Sequence, residues 1–347
     1  MAHSSHPASS PFFDASIIDT LSFPNGLTNY VKEKKFEVNL PGLSENGWTL
    51  VNNDIQQLWQ KIKSAGVPLG EYVEGKIFMG VLTGLNEAFV IDEVIKNQLI
   101  NEDSKSAEFI KPFLAGRDIK RYQHPIIQKY IILIPKGFTI KKNLTPDNPN
   151  FISETMHRYG NMDDIDAWKW FSNNYPAISN YLLPFKEKAE VRTDQGDFWW
   201  ELRACDYYNE FEKEKIMLPD ISNQCEALYD KDGIYCVNTA YIILGLSKFH
   251  LGILNSKLVL FFYSNLTQTI RGGYYRFIRQ YLEQIPIPHI PENTKSILTN
   301  KVNEIISTKK INPSNDTLSL EKEIDHLVYN LFGLNDEEII IVEDSFR

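Results

Sequence analysis

The sequence predicts a mixed fold in which helices alternate with short strands and a helical hairpin follows. The run QKYIILIPKG, residues 128–137, is rich in β-branched residues and ends in a Pro-Lys-Gly turn, which is typical of a strand that leads into a loop. Residues 227–241 alternate in the manner of strands, and the turn at Asp230–Gly233 indicates a hairpin between them. The centre of the chain is therefore expected to contain much of the sheet.

The C-terminal region carries the clearest helical signal. The segments Lys295–Ser307 and Leu318–Phe332 have helical apolar spacing, and a polar turn at residues 312–315 separates them. Gly333 supplies the residue with which helices commonly end. We therefore expect two helices joined as a hairpin.

The remaining elements follow in chain order. Residues 1–45 are rich in Ser, Pro, Asn and Lys and show little periodicity, so we expect a loosely ordered leader or the remnant of an upstream region. Asn53 or Asp54 can cap a helix with an apolar face that ends near Gly66. The other predicted elements are two short strands around a tight turn at 76–92, a helix at 94–101, two helical pieces within 162–192 and one amphipathic helix at 247–263.

Composition places limits on the class of protein. The chain has 347 residues and 43% hydrophobic content, which is enough to bury a core. Its longest apolar run, residues 251–263, is interrupted by polar residues and falls short of the roughly 20 apolar residues of a membrane span. The first residues also lack the features of a secretory signal. We therefore expect a cytoplasmic protein without a membrane segment.

The cysteines give no sign of a disulfide framework. Cys205, Cys225 and Cys236 are odd in number and lack the C-x-x-C spacing of thiolate zinc sites. We expect them to be core residues or free thiols.

One segment concentrates positive charge in a chain whose net charge is −9. Between Lys111 and Lys142 eight residues are Lys or Arg, and Asp118 is the single acid. Such a contrast favours a specific anionic partner over general coating of nucleic acid. The alternative is a solvated charged face, which is common on soluble proteins.

A search for catalytic motifs finds none of the familiar phosphate-binding, serine-hydrolase or zinc-hydrolase patterns. The string Glu74-Gly75-Lys76 has the E-x-K form of some metal-dependent nucleases, with Asp54 upstream as a second carboxylate. Two carboxylates could hold a hard cation and Lys76 could stabilise developing charge. A pattern this short also arises by chance, and Gly75 suits a turn.

Aromatic and basic residues are interleaved at several places. The aromatic residues are Tyr122, Trp199, Trp200, Tyr274, Tyr275 and Phe277, and the nearby arginines are Arg121, Arg203, Arg271, Arg276 and Arg279. Arginine pairs with phosphates and with guanine, and planar rings stack on unpaired bases. The alternative is that the tryptophans form core and the arginines satisfy carboxylates such as Glu201.

Seven segments in one order resemble a known family. They are GVLTGLNEAFVID, FLAGRDIKRY, RTDQGDFWWELRACDYY, EKIMLPDIS, LGILNSKL, RGGYYRFIRQYLEQIPIP and EIDHLVYNLFGLNDEEIIIVE. Together they resemble the TaqI-like C-terminal specificity region of adenine-N6 DNA methyltransferases, in the version found in single-chain type IIG restriction-modification enzymes. The resemblance runs from about Trp48 to Glu343.

The resemblance implies an α+β fold, with an irregular β-rich target recognition domain followed by a C-terminal α-hairpin. In the family this region selects the DNA sequence, while an upstream domain binds S-adenosylmethionine and methylates an everted adenine. The family's N-P-P-Y motif has no match here, because its nearest string is Asn148-Pro149-Asn150-Phe151. We therefore expect no catalysis and no cofactor in this chain, with S-adenosylmethionine and Mg²⁺ belonging to a parent or partner enzyme.

On this basis the sequence predicts a leader at 1–45, a DNA target recognition domain at 46–290, and a helical hairpin with an acidic tail at 291–347. The expected partners are double-stranded DNA and a methyltransferase or endonuclease half, in the same parent chain or as a separate subunit. Asp118 is expected to orient a neighbouring arginine. The candidate DNA-contacting residues are Arg117, Lys120, Arg121 and Lys136 for phosphates, Arg192, Arg203 and Arg271 for bases or phosphates, Tyr274 or Trp199 for stacking, and in addition Tyr122 and Arg276.

An alternative function from a different class stays open. The acid-rich C-terminal region could dock a methyltransferase partner in a protein that no longer binds DNA. A metal-dependent nuclease built on Glu74 is the third hypothesis.

Overall fold

The fold is α+β, as expected. The structure is a computed structural model that describes residues 12–16, 18, 21–39, 53–143, 163–270 and 272–346. Strands and helices are interspersed along the chain, and helices predominate at its C-terminal end. Within those ranges, no helix combines the length and the apolar character that a membrane span requires.

The strands are short. In chain order they are β1 (Phe12–Ala15), β2 (Phe36–Asn39), β3 (Gly66–Pro68), β4 (Ile77–Met79), β5 (Val90–Asp92), β6 (Ile110–Leu114), β7 (Lys129–Ile132), β8 (Lys215–Pro219), β9 (Ile221–Ser222), β10 (Leu228–Asp230), β11 (Tyr235–Cys236), β12 (Ala240–Leu244), β13 (Tyr275–Arg276) and β14 (Pro286–Pro288).

The two longest helices of the described residues lie near the C-terminal end. In chain order the helices are α1 (Leu27–Lys34), α2 (Asn53–Ser64), α3 (Leu69–Tyr72), α4 (Asn86–Phe89), α5 (Glu93–Glu102), α6 (Phe138–Asn143), α7 (Asp164–Asn174), α8 (Pro176–Leu182), α9 (Lys186–Glu190), α10 (Lys248–Leu254), α11 (Lys257–Ser264), α12 (Arg279–Leu282), α13 (Glu292–Ile311), α14 (Leu318–Leu331) and α15 (Asp336–Asp344). Short 3₁₀ turns lie at Ser104–Glu108, Gly116–Asp118, Leu183–Phe185 and Tyr208–Glu212.

A four-stranded antiparallel sheet separates two hydrophobic clusters. Its strand order is β10-β8-β12-β4. Met217 pairs with Ile242 on the face toward the first cluster, and Ile216 pairs with Ile243 on the face toward the second. Because side chains alternate along a strand, two apolar faces make this sheet the common wall of both cores.

A second four-stranded sheet, of order β11-β6-β7-β5, lies in the first cluster. Strand β7 confirms the strand predicted in the QKYIILIPKG run. The predicted hairpin across Asp230–Gly233 is wrong, because β10 pairs with β8 whereas β11 pairs in parallel with β6. The Asp230 carboxylate explains the crossing: it accepts the N–H groups of Asp232 and Ile234 at 2.9 Å each and forms a buried ion pair with Lys215.

Helices supply most of the second cluster. It contains residues from both sides of position 290, where the sequence predicted the boundary between the recognition domain and the hairpin. The predicted hairpin is confirmed as α13 and α14, and α15 extends it. The single helix predicted at 247–263 is instead α10 and α11. Asn255 breaks it, since its amide group bonds to both the N–H and the C=O of Ala227 at 2.9 Å.

Two strands lie within the predicted leader at residues 1–45. Within its described part, β1 pairs antiparallel with β2, and Phe13 lies opposite Val38. Val38 is buried. Apolar residues at alternate positions of β2 give this short strand a buried side, which explains its order.

Candidate nucleic-acid interface

The turn at Gly116–Asp118 presents Arg117 to solvent. The Asp118 carboxylate accepts the Ala115 N–H at 3.1 Å, and the Asp118 N–H donates to the Ala115 C=O at 2.9 Å, so the turn is closed from both ends. Arg117 lies in the middle with 90% of its side chain exposed, and its Nε is 3.9 Å from Asp118 Oδ1. Asp118 therefore fixes the turn and lies beside Arg117, as expected.

Thr239 anchors this turn to the rest of the fold. Its hydroxyl accepts the Gly116 N–H at 3.2 Å. A Cβ atom at position 116 would lie 2.3 Å from the Thr239 carbonyl oxygen, so only glycine fits this approach. The same carbonyl accepts the Asp220 N–H at 2.8 Å. The Arg117 turn and the segment after β8 therefore meet at one residue.

A hairpin that carries Tyr274 and Arg276 reaches the same place. Strand β13 pairs antiparallel with β9, and the Phe277 N–H donates to the Asp220 C=O at 2.6 Å. Gly272 and Gly273 have φ values of 87° and 78°, which favour glycine at the hairpin tip.

The two predicted side chains of this hairpin remain accessible. Tyr274 is exposed, and Arg276 is half exposed and paired with Asp220. Arg271, also a predicted contact, lies outside the described residues.

Arg203 lies beside the residues that follow β4. The β4 extension is bound to the β11–β12 connection, since Val81 donates to Cys236 and Asn238 donates to Val81. A small cavity of about 60 Å³ adjoins residues 79–82 and Arg203. The guanidinium is half exposed and is 3.3 Å from Asp194. Arg203 is accessible to a ligand.

Lys136 belongs to a separate basic pocket of about 400 Å³, lined by Pro135, Lys136, Phe138, Lys141 and Lys142. Its ammonium is 3.3 Å from Asp197. The buried carboxylate of Glu201 holds the pocket's backbone in place, because it accepts the N–H groups of Gly137 and Thr139 at 3.0 and 2.9 Å. Lys136 is presented to solvent, on a different part of the chain from Arg117.

Of the three predicted contacts that follow Arg117, Lys120 is accessible, whereas Arg121 and Tyr122 point into the protein. Lys120 is half exposed and 3.6 Å from Glu226. Arg121, in contrast, is largely buried and its Nη2 is 2.8 Å from Glu321 of α14. Tyr122 is 1% exposed and belongs to the second cluster, where its N–H donates to Ala227. The burial of Arg121 and Tyr122 therefore gives no support to the prediction that they contact DNA.

Arg192 and Trp199, which were also predicted to contact DNA, are buried as well. Arg192 is 7% exposed, and its guanidinium donates to the carbonyl oxygens of Thr83, Trp199 and Glu201. Trp199 is 4% exposed and packs against Trp168 and Trp200. Neither side chain can reach a base. The core interpretation of the tryptophans is right, although Arg192 binds the backbone of Glu201 and not its carboxylate.

The E-x-K string forms a turn. Glu74 has φ 53° and Gly75 has φ 73°, and the Glu74 carboxylate is 2.7 Å from the Lys76 ammonium. In the described part of the chain, no three His, Cys, Asp or Glu side chains are grouped so that they could hold a metal. The pair is therefore accounted for by turn geometry and one ion pair.

Neither Asp220 nor Thr239 was predicted from the sequence to belong to the interface. Asp220 lies 56 residues from Arg276, and Thr239 lies 123 residues from Gly116. The only local signal was an acid directly after an apolar strand, in the string EKIMLPDIS. The structure thus connects the Arg117 turn to the hairpin of Tyr274 and Arg276 through Thr239 and Asp220. Of the other described candidates, Lys120, Lys136 and Arg203 are about half exposed, whereas Arg121, Tyr122, Arg192 and Trp199 are largely or fully buried.

Comparison with known proteins gives a family match over half of the chain. A sequence model described as the TaqI-like C-terminal specificity domain matches residues 111–287, which contain the Arg117 turn and the Arg276 hairpin. The chain is 25% identical over 284 residues to the type II methyltransferase M.MjaIV of Methanocaldococcus jannaschii, covering 75% of this chain and 80% of that protein.

It is also 21% identical over 306 residues to the type II methyltransferase M.BstVI of Geobacillus stearothermophilus, spanning 86% of this chain but 46% of that protein. A solved structure of the type IIL restriction-modification enzyme MmeI in complex with DNA aligns with a TM-score of 0.45 and 12% identity over 78% of this chain and 34% of that chain. That TM-score is too low to support an argument about this chain.

Proposed function

The chain belongs to the TaqI-like C-terminal specificity domain family, and from this premise we propose that it binds double-stranded DNA at a specific sequence. It would serve as the specificity module of a restriction-modification adenine-N6 methyltransferase and would be non-catalytic on its own. The single observation that carries the proposal is the junction at Thr239, which joins the exposed Arg117 turn to the Tyr274–Arg276 hairpin.

The roles of the accessible residues follow from their charge and setting. Arg117 and Lys120 are exposed cations on a turn and its continuation, a setting suited to phosphate contacts that fix register. Tyr274 lies at a hairpin tip, where a planar ring can stack beside a distorted step. Arg203 and Lys136 extend the positive surface, although both already have carboxylate neighbours.

A methyltransferase or endonuclease half would be the functional partner, and it would supply S-adenosylmethionine and Mg²⁺ where the chemistry needs them. The names of the relatives, which are type II methyltransferases, support this assignment. Because the proposed ligand is cellular DNA, we expect the protein to act in the cytoplasm.

The test is enrichment from randomised duplex DNA with the full chain, followed by fluorescence anisotropy on the enriched duplex at rising salt. We expect one enriched motif, and we expect the logarithm of the binding constant to fall linearly with the logarithm of the salt concentration. Arg117→Ala and Lys120→Ala should each reduce the magnitude of the salt slope by about 0.9, the value for one lost phosphate contact.

Lys186→Ala is the matched control, since it removes one half-exposed charge from α9. It should leave slope and affinity unchanged. Absence of any enriched motif, or equal slopes for all variants, would contradict the proposal. Co-purification with a methyltransferase chain without DNA binding would instead favour the docking alternative.

The structure uses much of the C-terminal acidity internally, which weakens the docking alternative. Glu321 pairs with Arg121, Glu338 with Lys61 and Glu343 with Lys257. These carboxylates hold α14 and α15 to the rest of the second cluster and are not free to attract a partner.

A further inference from the structure

The guanidinium of Arg276 is held along one edge. Its Nε and Nη2 atoms each lie 2.8 Å from a different carboxylate oxygen of Asp220. This bidentate geometry fixes the plane of the guanidinium as well as its position. The hydrogen bonds that Arg276 donates to Asp220 also raise the pKa of Arg276 above its ordinary value, so the group stays charged.

The opposite edge of the same group faces outward. The Asp220 side chain is 12% exposed whereas that of Arg276 is 46% exposed, so the carboxylate is on the inner side and the accessible atoms are at the other end. Nη1 and the outer hydrogen of Nη2 form a second pair of parallel donors. Among the described residues, none accepts a hydrogen bond from Nη1.

The backbone on both sides of the pair is also fixed. Tyr263 donates its hydroxyl to the Arg276 C=O at 2.6 Å, and Arg276 lies opposite Ile221 in the β9–β13 ladder. Asp220 is bound through its N–H to Thr239 and through its C=O to Phe277. The free edge therefore has a direction that is set before any ligand binds.

We infer that Arg276 reads a guanine in the major groove through this free edge and that Asp220 is its positioning residue. Guanine presents two acceptors, O6 and N7, at the spacing of the two parallel donors. The inference rests on the proposed function, because it assigns a base to a residue of the proposed interface.

Charge separates a guanine contact from a phosphate contact. The Asp220–Arg276 pair is close to neutral as a unit, so it gains little from a phosphate and releases few counterions. Its hydrogen-bonding pattern is unaffected by that neutrality and suits an uncharged base edge. Arg117, whose nearest acid is 3.9 Å away, retains more of its charge for phosphate.

The experiment repeats the enrichment from randomised duplexes with wild-type protein, Arg276→Lys, Asp220→Asn and Arg279→Lys. Lysine keeps the charge but has no planar pair of donors. We expect the wild-type motif to contain a guanine that is preferred by about tenfold over other bases, and we expect Arg276→Lys to lose that preference at one position only. The salt slope should stay as in wild type.

Asp220→Asn gives a readout that a merely structural role would not produce. Without the carboxylate the arginine regains its full charge and loses its fixed direction. Guanine preference should fall, while affinity for unrelated duplexes should rise with a steeper salt slope. Arg279→Lys is the matched control, because Arg279 is also half exposed and paired with an acid, Glu283. It should leave the motif unchanged.

The outcomes separate the two proposals. If the wild-type protein enriches no motif, the proposed function and this inference both fail. If it enriches a motif that Arg276→Lys leaves intact, the inference alone is overturned. Equal loss of affinity for all sequences in Arg276→Lys would identify a phosphate contact and would likewise overturn it. Urea unfolding midpoints show whether each variant is folded. If Asp220→Asn does not fold, the Arg276→Lys result alone tests the inference.

Discussion

Segments 115–122 and 192–203 both place arginines near aromatic residues, but they use those arginines in opposite ways. In the first, a closed 3₁₀ turn directs Arg117 into solvent. In the second, Arg192 lies in the core and donates to three backbone carbonyls. The same residue type therefore serves as an accessible cation in one segment and as an internal brace in the other.

The difference arises from the backbone around each arginine. A tight turn has already satisfied its own polar groups, so its central side chain is left outside. The irregular loop at 192–203 has carbonyl groups without ladder partners, and buried carbonyls require donors. Arginine carries five donors in one plane and can serve several carbonyls together. In irregular β-rich regions, arginines that a sequence pattern would assign to DNA binding can instead donate hydrogen bonds to buried backbone carbonyls.

The largest expected effect is on Arg192→Ala. Removal of the guanidinium leaves the carbonyls of Thr83, Trp199 and Glu201 buried without donors, so the free energy of unfolding should fall by about 3 kcal/mol or more. Urea denaturation of the two proteins measures this. Arg203→Ala is the control, because its exposed pair with Asp194 should contribute about 0–1 kcal/mol. If both substitutions lower the free energy of unfolding equally, Arg192 does not stabilise the core in the way described and the contrast with Arg203 fails.

A smaller effect concerns Arg121, which is intermediate between the two cases and faces Glu321 and Asp325 of α14. Burial raises the pKa of Asp325 to about 6. Because the pKa is higher in the folded protein than in the unfolded chain, the stability contributed by this group is complete below pH about 4 and is lost as pH rises through about 6.

Asp325→Asn should remove this pH dependence while keeping the acceptor for the Lys257 N–H, which lies 2.9 Å from Oδ1. Between pH 5 and pH 7.5 the unfolding free energy of the wild type should therefore fall relative to that of the variant by about 1–2 kcal/mol. Urea midpoints across this range test it. If the unfolding free energies of the two proteins change in parallel with pH, burial does not raise the pKa of Asp325 and the prediction fails.

The sequence was sufficient for elements whose signal is local. The helices α5, α13 and α14 and the strand β7 were expected from spacing and end residues. Arg117, a predicted phosphate contact, is exposed, as such a role requires. The resemblance to the family, which depends on the order of seven segments, was also correct.

What the sequence could not provide depends on pairs far apart in the chain. The fates of Arg121 and Arg192 depend on Glu321 and Thr83, which lie 200 and 109 residues away. The split of the predicted 247–263 helix likewise depends on the bond between Asn255 and Ala227. No periodicity within a short window reports such contacts. Local composition does not distinguish the buried Arg192 from the exposed Arg117, because both lie near aromatic and basic residues.

Hydrogen–deuterium exchange of the full chain, with and without a duplex that carries its enriched motif, tests the central claim most directly. The Thr239 junction predicts that DNA slows exchange in residues 115–120 and 272–277 together, and leaves residues 192–201 and α13 unchanged. Protection of only one of the two segments, or protection confined to the Lys136 pocket, would contradict a single interface built around Thr239.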